Sequence, residues 1–336
     1  MKMKKLMLPL AISALAMPAL ALEPMPKQDG FSGSLGLGAA GGSVESNFLA
    51  KVIGVDLGNE DIYVYDSPSQ TDIIIPSFEF DLGYTFGNQK SRIYLTNVLE
   101  DPLDFSSNTA LAFRHDFASL GNIELAGLAP GAAQTEVWEN PYELGVDRDA
   151  TERSTSGGRL TWDKMFGTGL EFVADIRKVD IDEERSGQNL GLTAAQQDLL
   201  DREGDVSRYS LGYTFNCADD VQVQPSVAYI DRDLDGKAMA QDGYELGVDL
   251  VYSPGAYTWV NSVVYQSLDG DKENPLFNEV NDANVYRLAS ELNIPNPMGW
   301  DQWFATVGFV WGENQADIDF NKSSVALFSA RVGRNF

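Results

Sequence analysis

After its first twenty residues this chain never runs apolar for long, although 43% of its residues are hydrophobic. A membrane helix needs about 20 consecutive apolar residues, so the hydrophobic side chains have to be hidden another way. They fall at alternate positions. Between Ser77 and Phe86, one phase carries Phe78, Phe80, Leu82, Tyr84 and Phe86, and the other Ser77, Glu79, Asp81, Gly83 and Thr85. Successive side chains of a strand leave opposite faces, so five large apolar groups face one way. A soluble sandwich would show the same period, and this segment alone leaves both architectures open.

The whole chain separates them. Fourteen alternating segments begin near Phe31, Pro76, Ser91, Thr109, Asn122, Gly157, Gly169, Val206, Val221, Tyr244, Tyr257, Ala283, Asp301 and Ser324. Each approaches the roughly 9 to 11 residues of a tilted membrane strand, those at Ser91 and Asn122 only marginally. Short turns join the second to the third, the fourth to the fifth and so on, while the intervening connections are polar and Asp-rich, including 41–75, 130–156 and 178–205. The pattern predicts an all-β chain: a transmembrane antiparallel up-and-down β-barrel of 14 strands, with 12 as the alternative. Its turns would be short on the periplasmic side, and its external loops long and acidic. Tyr244, Tyr252, Tyr257, Trp259, Tyr265, Trp300, Trp303 and Trp311 lie toward strand ends, where interfacial aromatic girdles sit. The first strand, with Phe31, Leu35, Leu37 and Ala39 outward and Ser32, Ser34, Gly36 and Gly38 inward, is placed to close on the last.

Both termini point to the same compartment. At the carboxyl end Ala326, Phe328, Ala330 and Val332 alternate with Leu327, Ser329, Arg331 and Gly333, and an aromatic residue, Phe336, finishes the chain. This resembles the assembly signal of bacterial outer-membrane proteins, which implies the barrel-assembly machinery and periplasmic chaperones as partners. At the amino end Lys2, Lys4 and Lys5 precede an apolar run from Leu6 to Leu20, with Ala19 and Ala21 as small residues before a cleavage point. Residues 1–21 read as a secretory signal peptide and 22–336 as a single barrel domain in the outer membrane of a Gram-negative bacterium. Removing the three lysines takes the formal charge from −26 to −29. So acidic a chain excludes a nucleic-acid partner and leaves lipid and lipopolysaccharide as its surroundings. One cysteine, Cys217, allows no internal disulfide. It reads as an incidental turn residue.

The start Leu22-Glu23-Pro24-Met25-Pro26-Lys27-Gln28-Asp29-Gly30-Phe31-Ser32-Gly33, with the strand layout, resembles the uncharacterised gammaproteobacterial outer-membrane barrel proteins that carry a domain-of-unknown-function label. The resemblance implies the barrel and brings no activity and no catalytic residues.

Function should be legible in the inward phase. It carries Arg92, Arg114, Arg159, Arg177, Arg208, Arg287 and Arg331 among Glu79, Asp81, Glu124, Asp163, Glu171, Asp175, Glu245, Asp249, Glu291 and Asp301. Such groups can line a pore, and the small acidic excess would favour cations. They can equally pair into a web that fills the interior. Barrels of about 8 strands are filled by side chains while 16 to 18 leave a channel, so 14 strands point to a pore that loops narrow. The expected function is a porin-like channel for small hydrophilic solutes. The alternative is a non-transporting surface barrel that displays its acidic loops for adhesion or envelope integrity.

Three loop features and one side chain remain. Asp231, Asp233 and Asp235 alternate before Gly236, with Asp242 at the twelfth place, as in a calcium loop. A solvated Asp-rich hairpin is the ordinary reading of the same residues. Asp269, Asp271 and Glu273 form a weaker cluster in the next external loop. Residues 193–202 predict a short helix capped by Thr193, in a loop that would serve as a constriction or a lid. The sole histidine, His115, falls in phase with Leu111, Phe113 and Phe117 on the outer face. That position suits an interfacial residue better than a catalytic base, and no enzyme is expected.

Overall fold

The computed structural model describes residues 25–26, 28–87, 89–131 and 135–336. The signal-peptide reading of residues 1–21 lies outside the described residues. Fourteen long strands form one closed antiparallel sheet. They are β1 (Gly30–Glu45), β2 (Gln70–Thr85), β3 (Ser91–Asp101), β4 (Ser106–Asp116), β5 (Asn122–Pro130), β6 (Ala150–Asp163) and β7 (Leu170–Ile181). The second half comprises β8 (Gly204–Tyr213), β9 (Val221–Leu234), β10 (Gln241–Tyr252), β11 (Thr258–Gly270), β12 (Ala283–Pro295), β13 (Trp303–Ala316) and β14 (Ser323–Asn335). Each pairs with the next, and β1 closes on β14 from Ser34 opposite Asn335 to Glu45 opposite Ser324. Gly33 and Phe336 exchange backbone hydrogen bonds of 3.1 and 3.0 Å beyond that ladder. Closure satisfies the backbone of both end strands, as lipid demands.

The strand phases decide what faces out. On β14, Ala326, Phe328, Ala330 and Val332 point outward, and Val325, Leu327, Ser329, Arg331 and Gly333 inward. Phe31, Leu37, Ile74 and Phe328 are among the most exposed large apolar residues, which a solvated surface would not tolerate in a continuous band. Tyr229, Tyr244, Tyr265 and Tyr286 line one rim of β9 to β12, with ring centroids 5.6 and 5.3 Å apart in the two cross-strand pairs. Tyr252, Tyr257, Trp259, Trp300 and Trp303 line the other end. Eight residues separate Tyr244 from Tyr252, about 27 Å along the strand and roughly 20 Å of height after tilt, close to the apolar band of an outer membrane.

The structure settles on 14 strands. Several run past the predicted external limits, with β2 starting at Gln70 and β6 at Ala150, because backbone pairing continues where the apolar band ends. The external connections are also less uniform than expected. Those at 46–69, 131–149 and 182–203 are long, but 102–105, 235–240 and 317–322 are short turns.

The long loops fold inward and over the mouth. Within 46–69, Leu49–Val52 and Val55–Asp56 pair with each other, and Leu49–Val52 also pairs with Thr135–Trp138, which joins the top of β6. Leu49, Val52 and Leu57 pack against inward Val44, Ile73, Ile75, Val310, Val325 and Leu327. Above them Phe48, Tyr65, Tyr142, Phe277 and Phe320 form an aromatic cap, joined by Leu200 and Ile318. The predicted helix is present as Ala194–Gln197 with Thr193 in a capping box, and its loop packs into this cap. Arg148 ties the cap together. It donates to the carbonyls of Pro141 and Asn47 at 2.8 and 3.3 Å and lies 4.5 Å from the Trp138 ring. Burial pushes its guanidinium down to about 10.

Closure rests on glycine where β1 meets β14. A Cβ at Gly38 would stand 2.0 Å from the Ala330 carbonyl oxygen. Gly38→Val is therefore expected to destabilise the barrel by about 3 kcal/mol, while lipid-facing Leu37→Ile leaves it unchanged. Urea unfolding in lipid vesicles measures both.

Candidate functional site

Of the seventeen inward candidates, all but Asp301 stand on the inner phase of the wall, and most of them meet in ion-pair groups. Toward the periplasmic end Arg92 pairs with Asp81, and Arg114 lies 4.0 Å from Asp163. Tyr94 donates to Glu124 at 2.6 Å. Arg331, wholly buried, bridges Glu291 at 2.7 Å and Glu79 at 3.5 Å. Higher up, Arg159 reaches both Glu100 and Asp175 at 2.5 Å, and Arg177 reaches Asp175 at 2.6 Å. On the far wall Glu245 is shared by Arg208 at 2.5 Å, Arg287 at 2.9 Å and Gln266 at 2.8 Å. Gln224 donates to Glu171 at 2.9 Å, and buried Asp249 faces Ser262 across the ladder. Asp301 does not belong with them. It sits exposed in the turn before β13, which starts two residues later than the alternation suggested.

Six charged residues of this interior were missed: Glu100, Asp101, Asp104, Arg153, Arg202 and Arg232. Arg153 and Arg232 fall beyond the predicted strand limits, and Arg202 lies in the 182–203 loop. The first three belong to the tip of the β3–β4 hairpin, which bends into the lumen. A register shift between Leu99 and Asp101 marks a bulge, which turns a strand locally. Phe105 takes a left-handed conformation with φ of 53°. The tip then reaches the opposite wall. Asp101 lies 3.5 Å from Arg287 of β12, Asp104 lies 2.9 Å from Arg153 of β6, and Leu103 rests on Gly312 of β13, where a Cβ would be 3.2 Å away. The Thr135 hydroxyl donates to the Phe105 carbonyl at 3.2 Å. The tip thus narrows the lumen, while the 182–203 loop contributes Arg202 to its wall and Leu200 to the cap over its mouth.

Beside the tip is a chamber of about 290 Å³. Six arginines line it, Arg153, Arg177, Arg202, Arg208, Arg232 and Arg287, against four carboxylates, Glu100, Asp101, Asp104 and Glu245. Val179, Ile181, Val206, Ile230, Val264 and Val285 supply apolar wall between them. Arg177 and Arg202 also pair with Asp175 and Glu184, at 2.6 and 2.8 Å, which stand outside the lining; among the lining groups themselves arginines are in excess, opposite to the cation preference expected from the inward phase as a whole.

The remaining motifs fare differently. Asp231, Asp233, Asp235 and Asp242 do not come together around an ion site. Asp231 and Asp233 belong to the extended end of β9, Asp231 faces Asp242 across the ladder, and Lys237 holds Asp233. Among the described residues no three His, Cys, Asp or Glu side chains are grouped to hold a metal. Alternate carboxylates wrap an ion only when the backbone curls, and here pairing keeps it straight. Desolvation and then the neighbouring Asp233 and Asp242 push the Asp231 carboxyl up. His115 lies on the outer phase against the Phe117 ring, 4.3 Å between centroids. Its Nδ1 meets the Ser91 hydroxyl at 2.7 Å, a cross-strand neighbour the sequence had not suggested. Cys217 is exposed in the short strand Phe215–Ala218.

An apolar outer band, a first strand closed on the last and a charged, constricted lumen define an integral membrane β-barrel. The chain belongs to the family described as Protein of unknown function (DUF2860), whose model matches residues 30–334. No curated protein matches it in sequence. Solved structures of similar fold include the outer membrane channel DcaP of Acinetobacter baumannii, 9% identical, with TM-score 0.43 over 91% of this chain and 98% of that one. The CymD monoaromatic hydrocarbon channel is 9% identical, with TM-score 0.45 over 92% and 89%. A Pseudomonas aeruginosa FadL homologue is 11% identical, with TM-score 0.40 over 92% and 89%.

The shared carboxylate makes Glu245 the most sensitive point of the web. Glu245→Ala leaves Arg208 and Arg287 buried without it and is expected to cost about 3 to 5 kcal/mol. Glu245→Gln, which keeps the hydrogen-bond acceptor, should lose less. Unfolding midpoints of the two variants in vesicles give the comparison.

Proposed function

We propose that the protein is a gated channel of the Gram-negative outer membrane for small hydrophilic solutes, with a preference for anions. The observation that carries this reading is the chamber: the inner wall is left unfilled at about 290 Å³ where six arginines outnumber four carboxylates. A barrel built only as a plugged scaffold has no need to hold buried guanidiniums around open space, since each costs desolvation. The cap and the hairpin tip keep the path shut in this state. Lipid and lipopolysaccharide surround the wall, and terminal Phe336 suits recognition by periplasmic chaperones and the assembly machinery.

A second reading, the non-transporting surface barrel, is favoured by the apolar cap itself, which closes the external mouth with a packed core of Tyr142, Leu200, Ile318 and Phe320. Planar-bilayer recording separates the two. Wild-type protein should open sparsely and briefly, with a reversal potential on the anion side under a salt gradient. Asp101→Asn with Asp104→Asn removes both ion pairs of the tip and should raise the open fraction about tenfold or more, the effect of some 1.4 kcal/mol. Arg153→Ala with Arg232→Ala should shift the reversal potential toward cations. Silence from folded, heat-modifiable wild-type protein and from the Asp101, Asp104 variant would support the surface-display reading.

A further inference from the structure

The wall is not continuous. The ladder between β2 and β3 runs only from Asp81 opposite Thr96 to Thr85 opposite Arg92. Above it β2 stays paired with β1 up to Gln70, and β3 stays paired with β4 up to Asp101, so the two edges part. Unpaired backbone at the level of lipid costs several kcal/mol per group, which makes the chemistry of these edges informative. The Asn97 side chain donates to the Phe78 carbonyl at 3.1 Å and accepts from the Phe80 amide at 2.8 Å. The Thr96 hydroxyl donates to the Phe80 carbonyl at 2.9 Å. The amides of Phe80, Phe78 and residue 76 point to the same side of the strand, toward β3. Residue 76 is Pro, which has no amide hydrogen to orphan. Two of the three amide positions on this edge are thus answered, one by Asn97 and one by proline.

Behind it lies a second space of about 90 Å³, lined mainly by hydrocarbon, with Ser77, Asn97, Ser107, Asn108 and Arg331 also on its wall. Pro76, Phe78 and Leu99 bound it on the lipid side, and Val310 and Leu327 on the lumen side. Phe78 and Phe80 stack over the outside with their planes 4° apart. The hairpin tip is the partition between the two spaces. Pro102 and Phe105 face the apolar one, whereas Asp101, Leu103 and Asp104 face the arginine chamber.

We infer that the β2–β3 gap is a lateral port through which the alkyl chain of a single-chain anionic amphiphile passes between the bilayer and the lumen. The space is smaller than the ~150 Å³ that accommodates a benzene ring, so it takes a chain end and not a whole solute. It opens among Ile74, Phe78 and Phe80, inside the outward apolar stretch, where a membrane-dissolved chain presents itself. The charged head would meet the arginine chamber once the tip withdraws. This goes beyond the aqueous channel and does not depend on it.

The test uses Phe78→Cys with Leu99→Cys, positions that continue the β2–β3 register past its last pair, in a Cys217→Ser background. The folded protein is placed in vesicles that contain a fatty acid with a diazirine at its chain end. Illumination should label Pro102 to Phe105, Val310 and Leu327, which a sealed wall shields from lipid. Closing the cysteine pair with a bismaleimide after folding should abolish that lumen label and leave labelling of outward Leu37 and Phe328 intact. Label confined to outward residues before crosslinking overturns the port. Lumen label that persists after crosslinking also overturns it, because the chain then enters by another route. Neither result depends on whether the protein conducts ions.

Discussion

A strand in lipid has no water to bond to, and this single fact organises the molecule. It demands that β1 find β14, which they do over a full ladder with glycines where the two backbones crowd. It also explains the outward phase, since any side chain on that face must be soluble in hydrocarbon. Where the ladder is interrupted, between β2 and β3, the same demand is met by other means: a side-chain amide from Asn97, a hydroxyl from Thr96 and a proline. An interruption handled with that economy is part of the architecture.

Inside the wall the constraint is reversed. Arginines and carboxylates there have left water, so their cost falls only when each finds a partner of opposite charge with good geometry. The pairs are not isolated. Glu245 serves two arginines, Asp175 serves two, and Arg159 and Arg331 each serve two carboxylates. Sharing fixes the relative position of strands far apart in the chain, as Arg331 of β14 with Glu79 of β2 and Glu291 of β12. Around the chamber the lining itself carries six arginines to four carboxylates, and Asp175 and Glu184 pair Arg177 and Arg202 from behind it. That local imbalance separates the upper lumen from the paired belts below it.

The inner and outer faces were legible in the sequence because a period of two, once its apolar phase is known, assigns every residue between turns. Hence Glu79, Asp81, Arg208, Glu245 and Arg331 are inward as read. The inward hairpin was not legible. Asp101-Pro102-Leu103-Asp104-Phe105 has the composition of any polar turn, and what pulls it across the lumen is charge on Arg153 and Arg287, far away in sequence. The apolar filling of the upper lumen was hidden for a related reason: Leu49, Val52 and Leu57 sit in a loop with no period to announce which way they face. One local signal did exist. Pro76 stands inside an otherwise regular alternation, and proline in a strand marks a missing partner on its amide side.

The hairpin tip links the two unusual features of the wall. If β3 zipped fully onto β2, positions 78 to 80 and 97 to 99 would add backbone hydrogen bonds of about 0.5 to 1.5 kcal/mol each. The same movement would draw Asp101 from Arg287 and Asp104 from Arg153, and lift Leu103 off Gly312. A constricted lumen with an open seam is thereby set against a sealed wall with a freed tip. Packed elements held between two such arrangements switch between discrete states and do not deform continuously. The bulge beside Glu100 turns β3 inward, while Arg159 and Arg177 hold the Glu100 carboxylate against the wall.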